Sequence, residues 1–473
     1  MKFCISKPLT TAILAFLLLQ PARAVKADDA PIKNVLFIIA DDLRASVLGC
    51  YGDKFCKTPN IDRLAKSGLL FRNAYCQGTW CAPSRQSLMH SRYEDSQGPN
   101  MGEHFIDNGW YSARVGKIYH MRVPGDIIAG TNGNDIASTW TERFNAPGKE
   151  AHTPGDYACL NLNIFTRSQY GRQSTKMPHR PFVSVICDSD GSDQPDYKAA
   201  TKAIELLQKK RNDKFFLAVG LVRPHYPMVA PREYFDTYPH EQMELPPQIV
   251  GDTDDIPKSG RGGTTNVNNQ IGKYPENQKR MWSAYYASVA FMDAQVGRIL
   301  DTLDELGLRH STAVVFTSDH GYHLGDHGLW QKANLHEQVI RVPLVVSVPG
   351  MSQGKDTTSI AELVDIYPTA CELTGLSIPN NVQGKSLLPV LRSPQEQVRS
   401  EAFSLNRGGF SLRSSDWHYI EYPSGKSELY DMRSDPNEIT NLVGESKQAE
   451  RVRAMQLLLN EKLDMFGLEK SSK

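Results

Sequence analysis

The sequence has no surplus of charge, since 53 lysines and arginines are matched by 53 aspartates and glutamates. A general nucleic-acid binder needs a basic footprint, so that class is excluded; a local basic pocket for an anionic substrate is not. After residue 24 no apolar run is long enough to span a bilayer, and no membrane association is expected of the mature chain. Internal repeats and low-complexity tracts are absent, and no CxxC pair suggests zinc. What is present is the composition of an ordinary globular protein, 40% hydrophobic and 22% charged. A length of 473 residues exceeds one simple core, which predicts one large domain and a smaller one.

The one concentrated apolar run is N-terminal. Lys2 and Lys7 flank the start of Leu9 to Leu19, and Ala22-Arg23-Ala24 offers small residues for cleavage. Residues 1–24 therefore read as a secretory signal peptide, and the mature protein is expected in the periplasm or outside the cell. Cys4 precedes the apolar run, which is the wrong place for a lipoprotein cysteine. Cleavage leaves Cys50, Cys56, Cys76, Cys81, Cys159, Cys187 and Cys371, an odd number. Cys159 with Cys187, or Cys50 with Cys56, are open pairings that sequence does not decide.

Continuous apolar runs predict strands buried on both faces. They are "NVLFIIADD" from Asn34, "FFLAVGLV" over 215–222, "TAVVFTSDH" from Thr312, and "VPLVVSVPG". Helices are predicted after Thr58, around Ala199–Gln208 and over Gln278–Leu306. "LVDIYPTACELTGL" reads as a short strand, a cap at Asp365, a helix and a stop at Gly375. In the helix after Thr58, that threonine is the expected cap and Pro59 opens the first turn. Strands alternating with helices predict an α/β fold with a large, mainly parallel sheet. Beyond residue 380, alternation around "PSG" predicts an antiparallel unit closed by a helix over Lys447–Met465. The expected division is thus 25–380 for a catalytic α/β domain and 381–473 for a C-terminal α+β subdomain. Residues 121–195, rich in Gly, Pro and Asn, read as long loops of the kind that shape a binding site.

Two predicted strands end in acids: Asp41 with Asp42, and Asp319 followed by His320. Ligands of open α/β sheets bind beyond the carboxyl ends of the strands, so these ends can meet there. Three carboxylates together need compensation, and oxygen ligands favour calcium or magnesium. Either aspartate alone would be an ordinary turn cap. Lys117 and His120 in "VGKIYH", His225 in "RPHYP" and Lys332 in "LWQKANLH" sit in turn-like segments. Singly each is a surface charge or a satisfied histidine; with a metal they would form an anion site with a proton donor. Cys81 lies in "GTWCAPSRQSLMHSRY", residues 78–93, beside Ser84 and Arg85.

In "ADD", "CAPSR", "VGKIYH", "RPHYP", "TSDHGYHLGDHG" and "SELYDMRSDPNEITNL", taken in order from about residue 34 to 445, the chain resembles the type I sulfatases of the alkaline-phosphatase superfamily. "GCYGDKFCKTPNID", "FFLAVGLVRPHYP" and the Asp319-His320 pair resemble the iduronate-2-sulfatase branch. The resemblance implies that a formylglycine-generating maturation enzyme oxidises Cys81 to Cα-formylglycine, whose hydrate is the nucleophile. It implies one Ca²⁺ held by Asp41, Asp42, Asp319, His320 and the residue at 81. It further implies that Arg85 holds the hydrated aldehyde, that Lys117 and Lys332 bind sulfate, that His120 takes the proton that frees sulfate, and that His225 protonates the leaving alcohol. Ser84 would belong to the maturation signal. The expected activity is sulfuric ester hydrolysis on a sulfated carbohydrate, with a glycosaminoglycan 2-O-sulfate first and an algal polysaccharide second. The alternatives are a phosphodiesterase or phosphonate hydrolase of the same superfamily, and a non-catalytic carbohydrate-binding relative. Three features depart from the family pattern or fall outside it: His90-Ser91-Arg92 after the signature, His320 on a hard cation, and residues 121–195. Tyr322 and His323 come after the metal pair and face either substrate or core.

Overall fold

An apolar strand with no polar alternation can be buried only if both faces are covered. In the computed structural model, which describes Met1 and residues 32–172, 176–262 and 265–470, every residue of Asn34–Asp41, Phe215–Pro224 and Thr312–Ser318 is buried. The expected signal peptide lies, Met1 apart, outside the described residues.

These strands form the centre of an eight-stranded sheet. Its order is Lys355–Glu362, Leu69–Tyr75, Arg341–Ser347, Thr312–Ser318, Asn34–Asp41, Phe215–Pro224, Tyr111–Gly116 and Glu142–Phe144. Only Arg341–Ser347 runs against its neighbours, so the sheet is mainly parallel as expected. Side chains of one strand alternate between faces, and Asn34–Asp41 feeds two cores accordingly. Leu36 and Ile38 pack with Tyr285, Val289 and Leu300 of the helix Pro275–Glu305, while Phe37 and Ile39 pack with Leu88, Met89 and Ile366. Full burial of each such side chain stabilises the fold by about 1.5–3 kcal/mol.

Residues 401–431 form the expected antiparallel unit. Strands Glu401–Asn406, Gly409–Ser414, Trp417–Glu421 and Ser427–Asp431 pair in sequence order. The helix Ala449–Phe466 covers one face, with Leu459 and Leu463 packed near Phe403, Leu412 and Tyr419.

Three expectations need correction. Residues 121–195 are not all loop. They supply Glu142–Phe144 to the large sheet, and Gly155–Cys159, Ile164–Thr166 and Val183–Cys187 to a second sheet completed by Met228–Pro231. Strands of three to five residues are too short for alternation to show, and Glu142–Phe144 and Val183–Cys187 find partners well along the chain, in Tyr111–Gly116 and Met228–Pro231. The "LV" of Leu363–Asp365 is a 3₁₀ turn rather than a strand, because Asp365 accepts the Glu362 amide at 2.8 Å and curls the chain. Thr58 precedes Pro59–Lys66 but does not cap it; its hydroxyl donates to Asp62 Oδ1 at 3.1 Å. The seven described cysteines, Cys159 and Cys187 among them, are free thiols. Among the described residues no helix is long and apolar enough to cross a membrane.

Candidate active site

Four neighbouring parallel strands end on one side of the sheet, and each delivers polar residues there. Thr312–Ser318 runs into Asp319 and His320, Asn34–Asp41 ends on Asp41 and Asp42, Phe215–Pro224 runs into His225, and Tyr111–Gly116 runs into Lys117. Register aligns these ends, with Ala40 opposite Ser318 and Asp41 opposite Pro224. Lys117 turns in over the adjacent strand because Gly116 has φ +72° and because Gly220 carries no side chain; a Cβ on Gly220 would lie 2.0 Å from the Lys117 carbonyl.

Cys81 opens the helix Cys81–His90 and is buried beside these ends. Its sulfur lies 3.2 Å from Lys332 Nζ and 3.4 Å from His320 Nε2. Burial, with Asp41 nearby, pushes the thiol well above the ordinary range despite Lys117 and Lys332. The Ser84 hydroxyl donates to the Asp319 carbonyl, so this residue of the signature also holds a strand end.

Arg85 is fully buried and all its donors are engaged. It donates to Asp319 Oδ2 at 2.8 Å, Asp41 Oδ1 at 3.1 Å, and the carbonyls of Lys117, Ile118 and Ala40. In this arrangement it braces two carboxylates, and contact with a group on residue 81 would require exchange of one of these bonds. Lys117 donates to Asp41 and Lys332 to Asp42.

Asp41, Asp42 and Asp319 bring one oxygen each within 4.8 Å of one another. Burial opposes ionisation of Asp41, but Lys117, His225 and Arg85 hold it well below the usual carboxylate range. Asp42 is raised to about 7 by burial and by the two neighbouring aspartates, against the pull of Lys332. Its Oδ2 is buried and has no hydrogen-bond partner in the protein. His320 Nε2 stands 3.5 Å from Asp42 Oδ1 and 3.6 Å from Asp319 Oδ2. Burial lowers this imidazole to about 4, so it is neutral and free to act as a ligand. Three hard oxygens, one of them orphaned, with one imidazole fit a divalent cation.

The cluster opens into a cavity of about 400 Å³ lined by Cys81, His120, His225 and Lys332. His225 Nδ1 donates to the Tyr226 carbonyl at 2.5 Å, leaving Nε2 as the free ring nitrogen, 3.7 Å from Asp42 Oδ2. Burial and Lys332 hold His225 well below its ordinary range, and burial with Lys117 lowers His120 to about 4. All sequence-predicted site residues therefore converge. Tyr322 and His323 do not line this cavity: Tyr322 stacks on Tyr285 at 5.9 Å and His323 Nε2 meets Asn334 Oδ1 at 3.1 Å.

Sequence reasoning missed Trp80, Arg180 and Tyr226, which also line the cavity. Tyr226 was legible as the neighbour of His225. Arg180, 5.5 Å over the Tyr226 ring, comes from the 121–195 region and carried no signal at all.

A model of the sulfatase family matches residues 33–376, and a model of the N-sulphoglucosamine sulphohydrolase C-terminal region matches residues 325–464. The iduronate 2-sulfatase of Mus musculus is 32% identical over 416 residues, covering 76% of this chain and 71% of its own. Among solved structures, BT4656 in complex with its substrate D-glucosamine-2-N,6-O-disulfate superposes with a TM-score of 0.73 at 19% identity, covering 93% of this chain and 98% of its own. The phosphonate monoester hydrolase of Silicibacter pomeroyi superposes with a TM-score of 0.74 at 20% identity, covering 93% and 96%. At these identities the two structures share the fold.

Proposed function

The chain belongs to the sulfatase family, and from that premise we propose that it hydrolyses sulfate esters of a sulfated carbohydrate, with Cys81 matured to Cα-formylglycine. The observation that carries the reading is the meeting of Cys81, His120, His225 and Lys332 in one cavity backed by three carboxylates. A non-catalytic relative would have no reason to keep buried charges whose desolvation costs several kcal/mol each.

Asp41, Asp42, Asp319 and His320 would hold the divalent cation, which we propose is calcium. When bound, that cation supplies positive charge that polarises a sulfate oxygen and favours the ionised form of a hydroxyl on residue 81. The hydrated aldehyde supplies two hydroxyls on one carbon, so the sulfate taken up by one can be expelled through the other. Lys117 and Lys332 hold sulfate oxygens and offset the charge that grows on them. His225, fixed by its Nδ1 bond to the Tyr226 carbonyl, delivers a proton from Nε2 to the leaving alcohol once an anion in the cavity raises its basicity. His120 receives the proton of the second hydroxyl. Arg85 sets Asp41 and Asp319.

Within the family we propose an iduronate-2-sulfatase-like specificity for a glycosaminoglycan or a similar sulfated polysaccharide. This draws on the relative at 32% identity and on "RPHYP". We also propose export to the periplasm or beyond, by residues 1–24, and a formylglycine-generating enzyme as partner.

The test is the mass of the tryptic peptide containing Cys81 from protein made in its native host, followed by turnover of an aryl sulfate and an aryl phosphate. An aldehyde together with preferential sulfate turnover is the expected result. An intact thiol in a host with the maturation machinery would overturn the formylglycine mechanism. Preferential phosphate or phosphonate turnover would support the second reading, a phosphodiesterase or phosphonate hydrolase on the same fold.

A further inference from the structure

Beside the catalytic cavity lies a larger one of about 670 Å³, and the two share Trp80 and Lys332. The walls of the second cavity come from segments far apart in the chain. Lys258 stands on one loop, Lys332 on another, and Asn406, Arg407 and Tyr422 on two hairpin turns of the C-terminal sheet. This volume is that of a small-molecule site rather than a surface dimple.

Its chemistry is cationic and aromatic. Lys258 and Arg407 are exposed and, among the described residues, neither makes an ion pair. Among the described residues no carboxylate lines the cavity. The nearby Glu428 is buried and engaged by His336 and by the Tyr422 and Tyr430 hydroxyls. The Arg407 guanidinium lies 4.7 Å over the Trp80 ring, so its charge is held at the partition between the cavities.

The frame is rigid. Asn406 pairs with Gly409 across a two-residue turn in which Arg407 has φ +49° and Gly408 φ +77°. Two successive positive φ values mark the tight turn that suits twisted antiparallel strands. Asn406 Nδ2 donates to the Ala333 carbonyl at 2.7 Å, the Ala333 amide to the Thr79 carbonyl at 3.0 Å, and the Leu405 amide to the Gln77 carbonyl at 2.8 Å. The C-terminal hairpin, the Lys332 loop and the segment before Cys81 are thereby tied together.

We propose that this second cavity is a subsite for the sugar next to the one that loses its sulfate, that this sugar carries a carboxylate or sulfate, and that Arg407 and Lys258 bind that group. The inference rests on the sulfatase reading and makes the protein selective for oligosaccharides. Trp80 and Tyr422 supply aromatic surface beside the sugar, and the Lys258 and Arg407 cations, which no carboxylate pairs among the described residues, are the complement of an anionic one.

The experiment compares the matured wild type with the Lys258→Ala/Arg407→Ala variant. Substrates are 4-nitrophenyl sulfate and matched sulfated mono- and tetrasaccharides of heparin, dermatan sulfate, ulvan and ι-carrageenan. Wild type is expected to prefer at least one tetrasaccharide over its monosaccharide at least tenfold in kcat/KM. The variant should lose that preference, chiefly through a raised KM, while its 4-nitrophenyl sulfate turnover stays within twofold and so reports an intact fold. The inference is overturned if no tetrasaccharide is preferred by wild type, or if the preference survives in the variant. Inactivity of the wild type toward every sulfate, with the aldehyde at residue 81 confirmed by mass, would instead overturn the sulfatase reading and this inference with it.

Discussion

The ammonium of Lys332 stands 3.2 Å from the sulfur of Cys81, across 251 positions of sequence, and donates at the same time to Asp42. One cation thus touches both the residue expected to react and a residue expected to bind metal. Burial costs this lysine solvation, yet the Asp42 carboxylate beside it holds it well above the ordinary lysine range.

Lys332→Ala should lower kcat on an aryl sulfate by about 10²–10³-fold, the usual cost of losing one donor to a developing oxyanion. Steady-state kinetics on protein with residue 81 shown to be matured is the measurement. A kcat within tenfold of wild type would remove Lys332 from the reacting sulfate.

Addition of calcium should raise the melting temperature, whether or not residue 81 is matured. A cation present at a hundred times its Kd stabilises the native state by about 2.7 kcal/mol. Asp319→Asn and Asp42→Asn should each abolish the shift, and chelation should abolish turnover in the wild type. A calcium shift that survives both substitutions would place the cation elsewhere.

Arg223 and Glu150 form a fully buried ion pair at 2.7 Å, and Arg223 also donates to the His225 carbonyl at 3.0 Å. Arg223→Ala leaves a buried carboxylate without its partner and should destabilise the protein by about 3–5 kcal/mol. Chemical denaturation would measure it. The Glu150→Gln/Arg223→Met pair should recover part of the loss, because Glu150 is then no longer a buried charge without its partner, while Asp196, which Arg223 also steadies, keeps its two backbone donors.

His336 Nε2 lies 2.9 Å from Glu428, and this carboxylate raises the imidazole to about 9 in spite of burial. A folded pKa above the unfolded value of about 6.5 contributes stability that is complete below that pH and lost as pH rises through 9. Glu428 is lowered against its burial by His336 and two tyrosine hydroxyls, so its contribution is lost only as pH falls below the usual carboxylate range. The melting temperature of wild type should therefore fall more steeply between pH 6.5 and about 9 than that of His336→Gln. Parallel curves would show that the buried histidine is neutral.

Much of this protein was legible locally. "NVLFIIADD" and "TAVVFTSDH" announce buried strands because continuous apolar residues have no other stable place. Their terminal acids name a site because such strands carry the residues at their carboxyl ends to one edge of the sheet. The ordered motifs named the family for the same reason: each is a short segment whose chemistry is written in consecutive residues. Residues 142–187 were illegible, since strands as short as Ile164–Thr166 have too few positions for a period, and the sheet they join is completed by Met228–Pro231, far along the chain.

The sequence by itself determined the α/β class, the cysteine expected to react and the inventory of acids, lysines and histidines. Tertiary structure alone decided that Arg85 spends its donors on Asp41 and Asp319, that Arg180 and Tyr226 wall the cavity, and that a C-terminal hairpin brings Arg407 over Trp80. The physical reason is that strand periodicity and turn chemistry act over a few residues, whereas such contacts depend on sheet order and register, which are settled only when distant segments bury their apolar faces together.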